Sequence, residues 1–339
     1  MPSGFDIRGL AVPVIVAPMA GGPSTAQLAA AGTDAGGLGF LAAGYLSADA
    51  LAERFTAARG LTTGPLGVNL FVSQPSAATP EAVNAYAEAL ANDAQRYGAQ
   101  LGDPRFTDDD WAAKVDLLLD VRPEVASFTF GLPNVDECRR LRQAGIVTVG
   151  TVTSLAEAQA AVDCGVDAIA VQGPAAGGHR GTFDPVAEPN PQPLDELLAA
   201  VVGRVDVPVI AAGGLMSAED VGAVLEAGAA AAQLGTAFLL ADEAGSSPVH
   251  RKALQDPRFT ETAVTKSFSG RYARGLRNRF IDDHEPQAPF GYPEIHYLTG
   301  PLRAASVRAG DPQATNVWAG TGFTSIRTGS VADIMGALV

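Results

Sequence analysis

Short apolar runs without polar alternation punctuate this chain, and most are followed by a segment whose apolar residues recur at helical spacing. Residues 12–20 read Val-Pro-Val-Ile-Val-Ala-Pro-Met-Ala and end in Gly21-Gly22-Pro23. A β-rich run that is apolar throughout is the pattern of a strand covered on both faces. Residues 37–43 and 65–72 repeat it, with helices predicted from Ser24 to Ala31 and from Ser47 to Ala58 between them. From Ser73 the alternation pauses. Residues 79–100 and 108–121 predict two helices joined by a polar loop, an insertion or cover. The acidic run Asp108-Asp109-Asp110 predicts the N-terminus of the second, where negative charge complements the helix dipole.

An internal repeat accompanies the return of the alternation. Asn134, Ser154 and Ser217 each precede an acidic residue by three positions (Glu137, Glu157, Asp220) and a glycine by eleven (Gly145, Gly165, Gly228). This spacing predicts three helices of equal length, each opened by a side-chain cap and closed by a left-handed glycine, and each feeding an apolar run. Candidate strands number eight, at 12–20, 37–43, 65–72, 124–130, 146–152, 168–173, 207–213 and 230–240. Eight such strands alternating with helices predict a (β/α)8 barrel, with a doubly wound open sheet as the alternative. Residues 1–240 would form the barrel, with the helical insertion at about 73–121. Residues 241–324 would form a smaller, mostly helical lid, and residues 325–339 would return as the last barrel helix.

With 339 residues, 47% of them hydrophobic, the chain can bury a large core. A net charge of −14 argues against nucleic acid or an anionic membrane as main partner and favours small molecules. Cys138 and Cys164 lie 26 residues apart with no second pair, which excludes a zinc motif and a disulfide framework and fits a cytoplasmic protein; no metal site is expected. The apolar run at 11–20 holds two prolines and lacks a basic flank, so it predicts a strand rather than a signal. No segment is long enough to span a bilayer. A homodimer is compatible with all of this.

The run Ala168 to Val171 opens into Gln172-Gly-Pro-Ala-Ala-Gly177-Gly178-His179-Arg-Gly181, a loop that presents an imidazole where backbone can approach a ligand closely. By itself it is equally a glycine-rich turn with a hydrogen-bonded histidine. In a barrel, function collects at the C-terminal strand ends, where Met19-Ala20-Gly21, Asn69, Gln172, His179, Gly213-Gly214 and Gly235-Thr236 all fall. Asn69 either faces a ligand or satisfies local backbone. The loops at Gly213-Gly214 and Gly235-Thr236 offer glycine amides and a hydroxyl as an anion cradle, unless they are only tight turns.

Together, Ala17-Pro-Met-Ala-Gly21, Val68-Asn-Leu-Phe71, Ala176-Gly-Gly-His-Arg-Gly181, Pro208-Val-Ile-Ala-Ala-Gly-Gly214, Gln233-Leu-Gly-Thr236 and Ser269-Gly-Arg-Tyr-Ala-Arg-Gly-Leu-Arg-Asn278 resemble the nitronate monooxygenase family, also called 2-nitropropane dioxygenase. The resemblance implies an FMN-dependent barrel enzyme that oxidises alkyl nitronates, and sometimes nitroalkanes, with O2 to a carbonyl compound and nitrite, without nicotinamide. It implies that the Pro18-Met19-Ala20 backbone, Asn69 and Gln172 contact the flavin ring. Gly177, Gly178, Gly213, Gly214, Gln233, Gly235 and Thr236 would complete the cofactor site, with His179 as catalytic base. Thr321 and Tyr272 depart from the family pattern, which holds Gln and commonly Pro there. Tyr292, His296 and Tyr297 are candidates for the substrate entrance, or packing residues. Lys266, Arg271, Arg274, Arg277 and Arg279 either attract an anionic substrate or pair with acidic neighbours. Two other readings are a flavin barrel that uses NADH or NADPH, of the enoyl-acyl-carrier-protein or quinone reductase kind, and a flavin-free phosphate-binding barrel.

Overall fold

The computed structural model describes residues 4–339; residues 1–3, the start of the expected barrel segment, lie outside it. The strands are β1 (Val14–Val16), β2 (Leu38–Ala42), β3 (Leu66–Phe71), β4 (Val125–Thr129), β5 (Val147–Val152), β6 (Ala168–Gln172), β7 (Gly178–His179), β8 (Val209–Ala212), β9 (Ala231–Leu234), β10 (Thr262–Thr265) and β11 (Ala273–Leu276). All but β7, β10 and β11 form a closed parallel barrel in the order β1-β2-β3-β4-β5-β6-β8-β9, with β1 returning to β9 through Ile15 opposite Gln233. The chain therefore folds as a (β/α)8 barrel.

Helices α1 (Ala26–Asp34), α2 (Ala48–Arg59), α3 (Pro80–Ala89), α4 (Ala91–Arg96), α5 (Trp111–Val121), α6 (Val135–Gln143), α7 (Leu155–Cys164), α8 (Leu194–Val202) and α9 (Ala218–Glu226) follow the strands. The excursion at residues 241–324 adds α10 (Pro248–Leu254), α11 (Arg279–His284) and α12 (Glu294–Arg308), and α13 (Val331–Gly336) returns against α1. Helix and sheet touch closely: a Cβ on Gly39 of β2 would come 1.8 Å from the Ala29 carbonyl oxygen of α1, so only glycine fits. Ile15, Phe40, Val149 and Ile210 fill the lower barrel, closed beneath by Ile7 and Leu10. Above them the inward side chains turn polar, with Asn69, Ser127, Thr151 and Gln172 meeting a cavity. Function and core are thus stacked along one axis.

The caps form as expected. Asn134 and Ser217 accept from the amides of Glu137 and Asp220, whose carboxylates close reciprocal boxes. Ser154 caps α7, but its acidic partner Glu157 turns its oxygens to Thr153 and to the Phe183 amide at 2.7 Å. Gly145, Gly165 and Gly228 have φ of 84°, 88° and 98°.

Three expectations change. The run 230–240 is a strand only to Leu234, because Gly235 leaves the extended region and Thr236–Phe238 make a single 3-10 turn that buries Phe238. Residues 79–100 break at the buried Leu90 into α3 and α4. The acidic run leads into α5 with Asp110 at its N-cap position, as expected, but the Asp110 carboxylate makes no cap bond to α5 and accepts instead from the Ala48 amide of α2. Asp109 accepts from the Tyr45 amide at 2.9 Å and pairs with buried Lys114 at 2.8 Å, tying α5 to the loop after β2.

A second core joins α3 and α4 to the excursion, with Val83, Tyr86 and Leu90 packed against Phe268, Phe280, Ile295 and Leu302. At its edge Asp93 of α4 accepts from Arg279 and His284 of α11 at 2.5 and 2.7 Å. Burial opposes ionisation of Asp93, but these hydrogen bonds outweigh it and hold its pKa below the usual carboxylate value.

Candidate active site

A cavity of about 460 Å³ occupies the C-terminal end of the barrel. Pro18, Met19 and Ala20 line it after β1, Asn69 from β3, and Gln172 from β6. Gly177, Gly178 and His179 line it from the loop after β6, and Gly213, Gly214, Gln233, Gly235 and Thr236 from β9 and the turns after β8 and β9. Tyr292 and Tyr297 instead line a smaller neighbouring pocket with Phe130 and Arg271. The Tyr292 ring still meets the His179 ring edge-on, with centroids 5.7 Å apart, whereas Tyr297 packs against the Arg105 guanidinium at 4.4 Å.

At the glycine end, Gly213 and Gly214 have φ of 114° and 81°, which turns the chain out of the barrel within two residues. The amides of Gly214, Gly235 and Thr236 donate to no protein acceptor among the described residues, and Thr236 Oγ1 accepts from the Gly320 amide at 2.9 Å. Free amides, one hydroxyl and no carboxylate suit an anion. Asn69 Nδ2 donates to Ser127 Oγ and Thr129 Oγ1 at 2.9 and 3.0 Å, and among the described residues Oδ1 has no protein partner.

His179 belongs to β7, which pairs antiparallel with β11, Ala273 opposite His179. The excursion thereby holds the histidine loop through backbone. Gln172 clamps its other side, donating to the His179 carbonyl at 3.1 Å and accepting from the Gly181 amide at 2.9 Å. The His179 ring sits among Phe130, Tyr292 and Trp318, with Nε2 2.9 Å from Ser269 Oγ. Ser269 Oγ has an acceptor of its own in the Arg271 carbonyl at 3.2 Å, which leaves it able to accept from His179 Nε2–H. In that tautomer Nδ1 carries the free lone pair. Burial, with Arg271 and Arg303 adding to it, lowers the His179 pKa to about 3, so the imidazole is neutral.

Among the described residues, no carboxylate pairs with the surrounding arginines. Arg180 donates to the Gly173 and Gln172 carbonyls; Arg271 donates to Thr182 and Gln74 and lies 4.0 Å over the Phe130 ring. Arg303 donates to Thr299 Oγ1, Asn316 Oδ1 and the His296 carbonyl. Of the basic set in the sequence, Lys266, Arg277 and Arg279 pair with Glu285, Glu261 and Asp93, while Arg271 and Arg274 pair with no acid.

A family model described as nitronate monooxygenase matches residues 6–339. The chain belongs to that family. It is 36% identical to the nitronate monooxygenase of Pseudomonas aeruginosa over 98% of this chain and 97% of that one. It is 37% identical to a probable nitronate monooxygenase of Staphylococcus aureus over 91% of this chain and 88% of that one. The crystal structure of nitroalkane oxidase from Streptomyces ansochromogenes superposes with a TM-score of 0.94 at 47% identity, covering 97% of this chain and 95% of that one. Like its relatives, this member of the nitronate monooxygenase family is an oxidoreductase that works on nitronates or nitroalkanes. Among the described residues, no helix is long and apolar enough to cross a membrane.

Several residues of this nitronate monooxygenase site are given no role by the sequence. Tyr45 enters the cavity from a left-handed backbone with φ 69°, and Ser269, Arg303 and Trp318 arrive from the excursion. His250 also lines the cavity; its Nε2 donates to the Trp318 carbonyl at 3.0 Å, and burial lowers its pKa to about 4. An imidazole depressed from the unfolded value of about 6.5 makes the unfolded state bind protons first as pH falls. The stability it protects is fully present above pH ~6.5 and is lost between there and about 4. His250→Gln, which keeps the donor, is expected to flatten the fall in melting temperature between pH 7 and about 4.5. An unchanged slope would show that His250 is exposed to solvent.

Proposed function

We propose that this chain is an FMN-dependent enzyme that oxidises alkyl nitronates, and nitroalkanes, with O2 to a carbonyl compound and nitrite, with His179 as the base. The observation that carries the reading is the neutral His179, whose Nε2–H is spent on Ser269 and whose Nδ1 is left for a ligand inside the barrel cavity. The residues present fit FMN: the free amides of Gly214, Gly235 and Thr236 would hold its phosphate. The Pro18-Met19-Ala20 backbone and Asn69 Oδ1 would border the ring, while Gln172, already committed to the histidine loop, keeps one Nε2 hydrogen for it. When bound, FMN supplies electron transfer to O2.

The protein's own part is proton and charge management. His179 Nδ1 takes the α-proton of a neutral nitroalkane, and a nitronate needs no such step. Arg271 and Arg303, unpaired by acids, make the cavity favourable to the anion in a protein that is acidic overall. The test is to record the visible spectrum and mix the protein anaerobically with ethylnitronate and, separately, with NADH. A yellow protein reduced by the nitronate and not by NADH is expected. Rapid bleaching by NADH alone would move the assignment to a reductase, and a colourless protein that cannot be reconstituted with FMN would remove the cofactor.

A further inference from the structure

We infer that His296 is the second catalytic imidazole of this site, its Nε2–H donating to the nitro oxygen that gains charge as His179 takes the α-proton. The inference rests on the nitroalkane reading above and adds a residue to it. His296 lines the same cavity, from α12. Arg303 lies two turns further along that helix and sends Nη2 to His296 Nδ1 at 3.3 Å and to the His296 carbonyl at 2.8 Å. A guanidinium has no acceptor, so His296 Nδ1 is the lone pair and the proton sits on Nε2. Among the described residues, that Nε2–H has no hydrogen-bond partner, and His296 lines the cavity. The two imidazoles of the cavity are therefore fixed as a complementary pair: His179 offers a lone pair, and His296 offers a proton.

Packing fixes the ring plane as well as the tautomer. Tyr45 stacks on His296 with centroids 4.1 Å apart and planes 2° apart, and Tyr292 and Tyr297 meet it edge-on at 6.4 and 5.4 Å. Tyr292 also touches the His179 ring, so one aromatic side chain spaces the two histidines. Burial, Arg303 and His179 all push the His296 pKa well below its ordinary value, which keeps it a neutral donor rather than an acid.

The step balances without transfer from His296. The α-C–H bond breaks and an N–H bond forms at His179 Nδ1. The C–H electron pair becomes the C=N bond of the nitronate, and an N=O pair moves onto oxygen. His296 keeps its proton and strengthens its hydrogen bond as that oxygen becomes anionic, which lowers the barrier because the bond is stronger after the charge has moved.

The test compares His296→Phe, which preserves a flat ring on Tyr45 without the donor, with His296→Gln, which restores an N–H near the Nε2 position. With nitroethane, kcat is expected to fall about 100-fold in His296→Phe and to recover to within about 10-fold of wild type in His296→Gln. Preformed ethylnitronate, in which no C–H bond is broken, should lose less than nitroethane in His296→Phe, and its loss should fall on KM rather than kcat, because the anion gives up a hydrogen-bond donor. The deuterium isotope effect on kcat/KM with 1,1-dideuterated nitroethane should rise in His296→Phe, which a packing lesion would not cause. Independently of activity, nitrogen-15 NMR of the histidine-labelled wild type should show His296 protonated at Nε2.

Wild-type kcat on nitroethane in His296→Phe, equal losses in the two variants without a larger isotope effect, or an Nδ1–H tautomer would each overturn the inference. Should His296→Phe lose its flavin, the His296→Gln rates and the NMR tautomer decide. Failure of the parent reading is distinguishable, because His179→Asn would then retain nitroethane turnover whatever His296 does.

Discussion

Replacing His179 by Asn is expected to lower turnover of neutral nitroalkanes by at least about 100-fold, the usual scale for a positioned base, while flavin stays bound. Asn lacks a basic lone pair, so C–H abstraction loses its acceptor, yet its size keeps the cavity among Phe130, Tyr292 and Trp318 filled. Preformed nitronate needs no abstraction and should still be oxidised, so the ratio of nitronate to nitroalkane turnover rises. Nitrite release with both substrates, read beside the flavin spectrum, measures this; equal nitroalkane rates in variant and wild type would remove His179 from the role. The pH dependence has a definite sign. With a pKa of about 3, His179 is protonated and unable to act only below that value and is free above it. Nitroalkane kcat/KM should therefore show no acid limb from His179 between pH 5 and 7, and a limb centred near the unperturbed value of about 6.5 would mean that the ring is hydrated.

Gly214→Asp is expected to weaken FMN binding by at least about 100-fold, equal to roughly 2.7 kcal/mol. Two effects act together. Gly214 has φ 81°, and a Cβ there would meet the Ala175 Cβ at 2.8 Å, so the loop carrying the free Gly214 amide must shift. The new carboxylate would also face the phosphate in a place where no cation answers it. Gly222→Asp on α9, where a Cβ meets nothing within 4 Å, serves as the charge-matched control and should leave binding unchanged. Fluorescence quenching of FMN on titration gives both constants. Equal affinities for the two variants would place the phosphate elsewhere.

The fold was legible because its signals are local. Unalternating apolar runs mark strands covered on both faces, and each of the eight expected runs contains a barrel strand. Asn134, Ser154 and Ser217 cap their helices through atoms three residues away, and Gly145, Gly165 and Gly228 answer a steric rule about φ. Glu157 shows where locality ends. Its spacing from Ser154 matches a capping box, but the chain emerging from the histidine loop brings the Phe183 amide within its reach, and the carboxylate serves that instead. The acidic run at 108–110 differs for the same reason, since the amides of Tyr45 and Ala48 lie more than 60 residues away in sequence.

By itself, the sequence determined a barrel of eight parallel strands and collected Asn69, Gln172, His179 and the glycine pairs at one end of it, because strand direction alone decides which end a residue occupies. Tertiary structure decided what those residues can do. Pairing of β7 with β11 brings Ser269 to His179 and so selects which nitrogen is free. Stacking of Tyr45 on His296, with Arg303 at its Nδ1, orients a second ring. Cys138 and Cys164, read from their sequence spacing as unconnected, are brought by the fold to a sulfur–sulfur distance of 3.5 Å. Tautomer, ring plane and the pKa of a buried imidazole depend on neighbours within a few ångströms, and here those neighbours come from the distant excursion, so no local pattern encodes them.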